Sequence, residues 1–266
     1  MTKTSPVQAT SLVKALRVLL ALEESSEGRG VTEIARALEL PKSAVHRLLV
    51  TFQAHGFVQQ RPDSRYTLGP TLVRLGLRAA ERFTPRRVAR PYLEALAREV
   101  GETVFMGALS QTDVMIVDKV ERGQVLRISP ALGSLLPLCQ TGLGKLLLAF
   151  CSAVLRAQLF DTLQGAEHAV SREQFMTSLQ QELATIERQG FAISLEEWAP
   201  DVCCLAAPIR NGQGDVIAAL ALALPRSRMP QPQRHDPFAS RNPALQYPTL
   251  LPALLATADR ISAALP

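Results

Sequence analysis

The stretch of this sequence that most suggests a chemical site is QTGLGKLLLAF, residues 140–150. Two glycines and a lysine run into an apolar, helix-forming segment, as they do in loops that bind phosphate through backbone N–H groups. A P-loop requires G-x-x-x-x-G-K-[ST], but Cys139 stands where the first glycine belongs and Leu146 where the hydroxyl ligand of Mg²⁺ belongs. No third glycine follows in the register of a dinucleotide fingerprint. The pattern therefore argues against nucleotide binding and hydrolysis.

Two interpretations of residues 140–150 remain open. Backbone N–H groups at the start of a helix favour a carboxylate or another acceptor, in which case Gly142 and Gly144 would belong to a ligand pocket. In the alternative, the two glycines only allow a helix to pack closely on a sheet, and Lys145 lies in solvent.

Other side chains capable of catalysis are few. No G-x-S-x-G, H-E-x-x-H or paired-carboxylate motif occurs, and His168 is the one histidine outside residues 1–90 and the Pro-rich stretch 226–248. We therefore expect no catalytic residue and no enzyme activity.

Four cysteines stand at positions 139, 151, 203 and 204, without Cys-x-x-Cys spacing or a nearby histidine. They are typical of small, buried, reduced thiols, so we expect no metal site and no cofactor. The vicinal pair Cys203–Cys204 leaves one alternative, a regulator that senses oxidation through a thiol of lowered pKa.

Charge is distributed unevenly along the 266 residues. Residues 1–90 contain 15 Lys and Arg against 7 Asp and Glu, whereas residues 91–266 contain 14 against 17. A basic segment joined to a mildly acidic one indicates nucleic-acid contact at one end only. No apolar run approaches the length of a transmembrane helix, and no signal peptide is recognisable. We expect a cytoplasmic protein without membrane contact.

The basic segment has the pattern of a winged helix-turn-helix. A first helix over residues 10–25 has Leu12, Leu16, Leu19 and Leu20 on one face, and Thr32 offers an N-cap for a short second helix. Pro41 suits the first turn of a third helix that Gly56 ends. Two strand-like pieces then flank Pro62-Asp63-Ser64, which favours a turn.

The third helix has a polar, basic outer face that fits the major groove of double-stranded DNA, and the hairpin has arginines at its tip. The candidate DNA contacts are Thr32, Lys42, Ser43, Ala44, His46, Arg47, Arg61 and Arg65. A following linker helix has Arg74, Arg78 and Arg82, which would either extend the phosphate contacts or only solvate the helix.

From residue 102 onward, the periodicity predicts strands flanked by helices. Strands are expected around the turn at Gln111-Thr112, over residues 125–129, and on both sides of Asn211–Gly214. Helices are expected from residue 140 through 160, from 171 to Gly190, and at the C-terminal end. The pattern indicates an α+β domain with an antiparallel sheet. Residues 226–248 are Pro-rich and predict a loop without regular structure.

Several of these segments together resemble the IclR family of transcriptional regulators. The resemblance is carried by VTEIARALELPKSAVHRLLVTFQAHGFVQQRPDSRYTLGPTLVRLG, GETVFMGAL, LGSLLPLCQTGLGKLLLAF, GFAISLEE and CLAAPIRNGQGDVIAALALALP, in that order. It implies an N-terminal winged helix-turn-helix, a linker helix and a C-terminal GAF-like effector-binding domain with an antiparallel sheet. It also implies homodimers or homotetramers on palindromic operators, controlled by a small-molecule effector such as an organic or aromatic acid.

The resemblance also implies an effector pocket, and its positions in this sequence are Val125, Ile128, Gly142, Leu143, Ser194, Val202, Cys204, Ala221 and Ala223. Relatives that bind small carboxylates offer an acid and two serine hydroxyls where this chain has Ser194, Ala221 and Ala223. The loss of a charge and of hydroxyls makes the pocket less able to satisfy a small polar anion. A larger or more apolar ligand is expected, held partly by backbone N–H groups around Gly142–Gly144. The expected domains are residues 1–70 for DNA binding, 71–90 as linker helix, and 91–266 for effector binding and oligomerisation.

Overall fold

The computed structural model describes residues 10–122, 128–163, 169–229, 247 and 249–266. The chain divides into two compact units, Met1–Arg82 and Phe83–Pro266, each with its own hydrophobic core. The first unit combines helices with a small two-stranded sheet, and the second is built on a six-stranded antiparallel sheet. The predicted α+β class is confirmed.

The N-terminal unit is a helix-turn-helix followed by a hairpin. Helices α1 (Thr10–Glu23), α2 (Val31–Ala37) and α3 (Lys42–Ala54) precede strands β1 (Val58–Gln60) and β2 (Tyr66–Leu68). The two strands pair antiparallel, and an isolated bridge joins Arg29 to Tyr66 on the outer side of β2. A core of buried side chains from all three helices and both strands holds the unit together: Val18, Leu22, Ile34, Ala35, Val45, Leu49, Val58 and Tyr66.

The N-cap of helix α2 lies two residues earlier than the sequence suggested. Gly30, not Thr32, is the N-cap, and its backbone N–H donates a hydrogen bond to Glu33 Oε2 at 3.1 Å. This contact forms the reciprocal half of a capping box, so a side-chain hydroxyl at the N-cap is not needed. The prediction for Thr32 as a cap was wrong, and its side chain lies exposed within the first turn.

The apolar face predicted for α1 is mostly exposed. Leu12, Leu16 and Leu20 are 58%, 51% and 59% exposed, while Val18, Ala21 and Leu22 are buried. Both faces of α1 are apolar, and a helical wheel cannot tell which one packs on α2 and α3. The same unit ends with α4 (Pro70–Arg82), an amphipathic helix that buries none of its residues within the described chain.

The C-terminal unit is built on a sheet of order β5-β4-β3-β8-β7-β6, with all neighbours antiparallel. Its strands are β3 (Thr103–Ser110), β4 (Asp113–Val120), β5 (Leu135–Pro137), β6 (Ala192–Leu195), β7 (Val202–Arg210) and β8 (Val216–Pro225). Its helices are α5 (Thr84–Val100), α6 (Gly142–Phe150), α7 (Ala153–Leu163), α8 (Ala169–Gln189) and α9 (Leu250–Ala263), with a short 3-10 helix at Arg226–Arg228.

The two faces of the six-stranded sheet support separate cores. Buried residues of α5 and α9, such as Leu93 and Leu254, pack on one face. Buried residues of α6 and α8, such as Leu146 and Leu183, pack on the other. Successive strand residues point to opposite faces, so Cys203 lies in the first core and its neighbour Cys204 in the second.

Several predicted elements differ in detail. The helix expected from residue 140 through 160 is broken at Cys151-Ser152 into α6 and α7. Of the strand expected over residues 125–129, the part up to residue 127 lies outside the described residues, and Ile128 and Ser129 are not in a strand. The short strand β5 was missed because its three residues are too few for a period-2 pattern. Of the Pro-rich loop, residues 230–246 and 248 lie outside the described residues.

Candidate nucleic-acid interface and ligand pocket

The outer face of α3 presents most of the candidate DNA contacts to solvent. Lys42, Ser43, His46 and Arg47 are exposed, and Ala44 is half-buried. Within the described residues, the Lys42 and Arg47 side chains make no hydrogen bond or ion pair, so both positive charges are available to a partner. Val45 and Leu49 on the opposite face anchor the helix in the core. This geometry can insert a basic helix into the major groove.

The two hairpin arginines differ from the α3 side chains because both make intramolecular contacts. Arg65 Nη2 lies 2.8 Å from the Gly28 carbonyl oxygen and 2.9 Å from Glu33 Oε2. Arg61 Nη1 donates to the Glu27 carbonyl at 3.0 Å, and its side chain is 40% exposed. The Arg65 guanidinium therefore joins the hairpin to the start of α2, which is a positioning role that the sequence did not reveal.

A small cavity lies between the sheet and the start of α6, and it gathers most of the residues of the predicted pocket. Ile128, Gly142, Leu143, Ser194, Val202, Cys204 and Ala223 all line it. Ala221 is fully buried in the neighbouring core instead, and Val125 lies outside the described residues. The remaining lining residues were missed by the sequence reasoning: Phe105, Pro130, Leu136, Thr141 and Trp198.

The cavity is narrow and apolar. Its volume is about 30 Å³, whereas a dry cavity of about 150 Å³ binds benzene. No Lys or Arg is among the described residues that line it, and Ser194 and Thr141 supply the hydroxyl groups. In this conformation the site has room for little more than a water molecule.

The start of α6 is fixed by Thr141 and Gly144. Thr141 Oγ1 donates to the Pro137 carbonyl at 2.9 Å and accepts from the Gly144 N–H at 3.1 Å, so Thr141 is the N-cap. A Cβ on Gly144 would lie 2.1 Å from the Leu138 carbonyl oxygen, whereas one on Gly142 would meet Cys204 Sγ at 3.3 Å. Gly144 therefore permits close packing, and Gly142 forms part of the cavity wall. The packing interpretation of this segment therefore applies to Gly144, and the pocket interpretation applies to Gly142.

Lys145 is not in solvent, contrary to the packing interpretation. Its side chain is fully buried, and its Nζ contacts Glu182 Oε1 on α8 and lies 2.6 Å from Glu197 Oε2 in the β6–β7 loop. A buried ammonium is tolerated only when it is paired and hydrogen-bonded. No helical or strand periodicity signals such pairing, because Glu182 and Glu197 are 37 and 52 residues away in sequence.

The vicinal cysteines lack the features of a redox sensor. Burial raises the pKa of the Cys204 thiol to about 12, although a hydrogen bond from the Leu143 backbone and the charge of Lys145 favour the thiolate. Burial also raises the pKa of Cys203. Reactive cysteines require a lowered pKa and access to solvent, and these two have neither. In the described part of the chain, no group of three or more His, Cys, Asp or Glu could hold a metal ion.

None of the helices that the structure describes is both long and apolar enough to cross a bilayer.

Comparisons with known proteins agree with this geometry. The family profile described as "IclR helix-turn-helix domain" matches residues 11–62, and "Bacterial transcriptional regulator IclR C-terminal" matches residues 78–244. The HTH-type transcriptional regulator XynR of Escherichia coli K12 is 33% identical over 226 residues, which cover 82% of this chain and 87% of XynR. The transcriptional repressor IclR of the same strain is 31% identical, over 84% of this chain and 82% of its own length.

Solved structures show the same fold over nearly the whole chain. An IclR-family regulator from Brucella abortus superposes with a TM-score of 0.76 at 25% identity, covering 99% of this chain and 95% of its own. A homologue from Microbacterium hydrocarbonoxydans, complexed with 4-hydroxybenzoate, superposes with a TM-score of 0.74 at 22% identity, over 96% and 98%. The chain therefore belongs to the IclR family, whose members are DNA-binding transcriptional regulators with a C-terminal effector domain and not enzymes.

Proposed function

We propose that this regulator binds operator DNA through α3 and the hairpin, under the control of a small organic acid with an apolar, aromatic body. The observation that carries the proposal is the apolar cavity at the start of α6. Thr141, Gly142 and Leu143 line it, so the positive end of the helix dipole faces the cavity. Such a site suits one carboxylate on an otherwise apolar ligand.

The lining residues favour an apolar body over a small polar anion. Ala223 contributes a methyl group and no hydroxyl to the cavity wall, and Phe105 and Trp198 add aromatic surface. A polar anion buried here would lack hydrogen-bond partners on most sides, which is costly. The complex of the Microbacterium homologue with 4-hydroxybenzoate makes that compound a reasonable first probe for this chain.

The effector proposal is tested by thermal unfolding with 4-hydroxybenzoate and with 4-hydroxybenzyl alcohol, its neutral counterpart. A ligand present at about 100 times its Kd stabilises the folded state by about 2.7 kcal/mol. We expect the acid to raise the Tm of the C-terminal unit and the alcohol to leave it nearly unchanged. Equal Tm shifts with both compounds would show that the carboxylate does not contribute to binding. An operator affinity that a bound acid leaves unchanged would contradict the regulatory role.

We propose further that the active species is a homodimer on a palindromic operator, or a homotetramer made from two such dimers. Leu12, Leu16 and Leu20 form an exposed stripe along α1, and Val73 and Leu77 form another along α4. Exposed apolar stripes of this kind mark interfaces between proteins. Two copies of a helix-turn-helix related by twofold symmetry match the symmetry of a palindrome.

The dimer proposal is tested by analytical ultracentrifugation of the Leu16→Glu variant. The matched control is Val154→Glu, because Val154 is 71% exposed but lies on α7 in the other unit. We expect Leu16→Glu to shift the protein toward monomer and to weaken operator binding, while the control stays oligomeric. A monomeric wild type, or dissociation of the control alone, would contradict the assignment.

The domain assignment is also part of this proposal: DNA binding by residues 1–70, a linker helix over 71–90, and effector binding and oligomerisation by 91–266, where α1 and α4 pair two chains and the C-terminal unit joins two such dimers into the tetramer. Arg74, Arg78 and Arg82 on α4 are exposed, so either of their two roles is compatible with the fold. A regulator that acts on chromosomal DNA is proposed to work in the cytoplasm.

A further inference from the structure

The charge of Lys145 is neutralised from two elements that are distant in sequence. Glu182 belongs to α8, which packs on the same sheet face as α6, whereas Glu197 belongs to the loop 196–201 between β6 and β7. The two carboxylates exceed the single positive charge of Lys145, so this charge is not available to a ligand acid. Its contacts instead join the end of one strand to the helix that forms the cavity wall.

The loop that contains Glu197 also contains Trp198, which lines the cavity and is 40% exposed. A backbone hydrogen bond closes the loop 196–201 at its base. The backbone N–H of Glu196 donates to the Val202 carbonyl at 2.8 Å, and Glu196 and Asp201 adopt positive φ values of 59° and 61°. Backbone in this region is strained for residues other than glycine, and such strain is retained where the surrounding structure enforces it.

The cavity of about 30 Å³ must expand before it can hold a ring, since a cavity of about 150 Å³ accommodates benzene. Most of its walls belong to the packed core: Leu143 on α6, Phe105 on β3 and Ala223 on β8 are all buried. Among the described lining residues, Trp198 is the only exposed one, while Ile128, Pro130 and Val202 are half-buried. The loop 196–201 is therefore a wall that can move without disrupting the sheet.

We propose that Lys145 is a positioning residue whose ion pair with Glu197 latches the loop 196–201 and holds Trp198 over the cavity, so that opening of this pair admits the effector. The proposal rests on the proposed function for its ligand, but the latch itself exists without a ligand. Glu182 keeps Lys145 neutralised when the latch opens, so a buried charge is not left unpaired.

The latch is tested without a ligand by acrylamide quenching of tryptophan fluorescence. Trp198 is the single tryptophan of the sequence, so its emission reports on this loop alone. The matched variants are Glu197→Ala and Glu182→Ala. Both remove one carboxylate from the same lysine, but only the first removes the contact between the loop 196–201 and α6. We expect Glu197→Ala to raise the quenching constant clearly and Glu182→Ala to leave it close to that of the wild type.

A third variant, Lys145→Met, removes the latch from the other side and places an apolar side chain of similar length in the buried position. We expect it to increase quenching as Glu197→Ala does, with far-UV circular dichroism unchanged. Equal quenching in the wild type and in Glu197→Ala overturns the latch. An equal increase in both glutamate variants also overturns it, because the effect would then follow from charge and not from the loop.

The kinetic consequence is tested by stopped-flow mixing with 4-hydroxybenzoate, monitored by Trp198 fluorescence. We expect Glu197→Ala to bind faster by roughly tenfold, between the small effect of an exposed ion pair and the large effect of a buried one. An unchanged rate for a ligand that does bind refutes the gating role. If 4-hydroxybenzoate binds neither the wild type nor the variant while quenching differs as expected, the choice of effector fails and the latch stands.

Discussion

The two glycines at the start of α6 provide the sharpest test of how this unit is built. A Cβ added at Gly144 would lie 2.1 Å from the Leu138 carbonyl oxygen, a backbone atom that cannot rotate away. A Cβ added at Gly142 would meet Cys204 Sγ at 3.3 Å and Ser194 Cβ at 3.5 Å, both on side chains. Gly→Ala substitutions two residues apart in one helix are thus predicted to differ sharply in their effect on stability.

For Gly144→Ala we expect a loss of about 3 kcal/mol or more in the free energy of unfolding, the upper end of overpacking costs. For Gly142→Ala we expect a change within about 1 kcal/mol, because contact near the van der Waals limit opposes a gain in helix propensity of similar size. At about 2–4 °C per kcal/mol in a unit of this size, Gly144→Ala lowers Tm by roughly 6–12 °C.

The assay is denaturant unfolding followed by Trp198 fluorescence, which reports on the C-terminal unit because this is the only tryptophan in the sequence. A lower midpoint with an unchanged m-value would identify a loss of stability and not a change in the surface exposed on unfolding. If Gly144→Ala unfolds at the wild-type midpoint, or if both variants are equally destabilised, the close approach of α6 to Leu138 is not a constraint on the fold, and the reasoning is refuted.

Three further predictions concern DNA contacts and thiols. Arg47→Ala should weaken operator binding by about 1–3 kcal/mol, and Lys42→Ala should reduce the slope of log K against log salt concentration by about 1. Unchanged affinity and slope in both variants, measured by fluorescence anisotropy, would contradict the assignment of α3 as the recognition surface. Arg65→Ala should lower the Tm of the N-terminal unit, because its guanidinium joins the hairpin to Gly28 and Glu33, and a loss of affinity with an intact Tm would make it a DNA contact instead. Because the Cys204 pKa is raised from an ordinary 9.0 to about 12, the thiol stays protonated in the folded state while the unfolded state loses its proton above about pH 9. The protonated Cys204 thiol contributes its full stability below that pH, and the contribution declines as pH rises toward about 12. Cys204→Ala should therefore flatten the fall of Tm between about pH 8 and 10. Parallel curves of Tm against pH for the wild type and the variant would contradict this.

Sequence patterning was sufficient for the organisation of the chain. Helix periodicity, Gly56 as a helix end and the Pro62-Asp63-Ser64 turn predicted the helix-turn-helix and hairpin, because these signals depend only on nearby residues. Strand alternation and the turns at Gln111-Thr112 and Asn211–Gly214 predicted the antiparallel sheet for the same reason. The charge asymmetry between the two ends of the chain could also be read from the sequence, because it does not depend on folding.

Tertiary structure decided which apolar and charged groups are buried. Leu16 and Val18 are both apolar residues of α1, yet only Val18 is buried, since the choice depends on where α2 and α3 lie. The segment QTGLGKLLLAF left two interpretations open, a ligand pocket at its backbone or close packing with its lysine in solvent. Its Lys145 is buried instead, because Glu182 and Glu197 reach it from elements far along the chain. Burial of a charge depends on partners that only the folded chain brings together, and no local pattern records them.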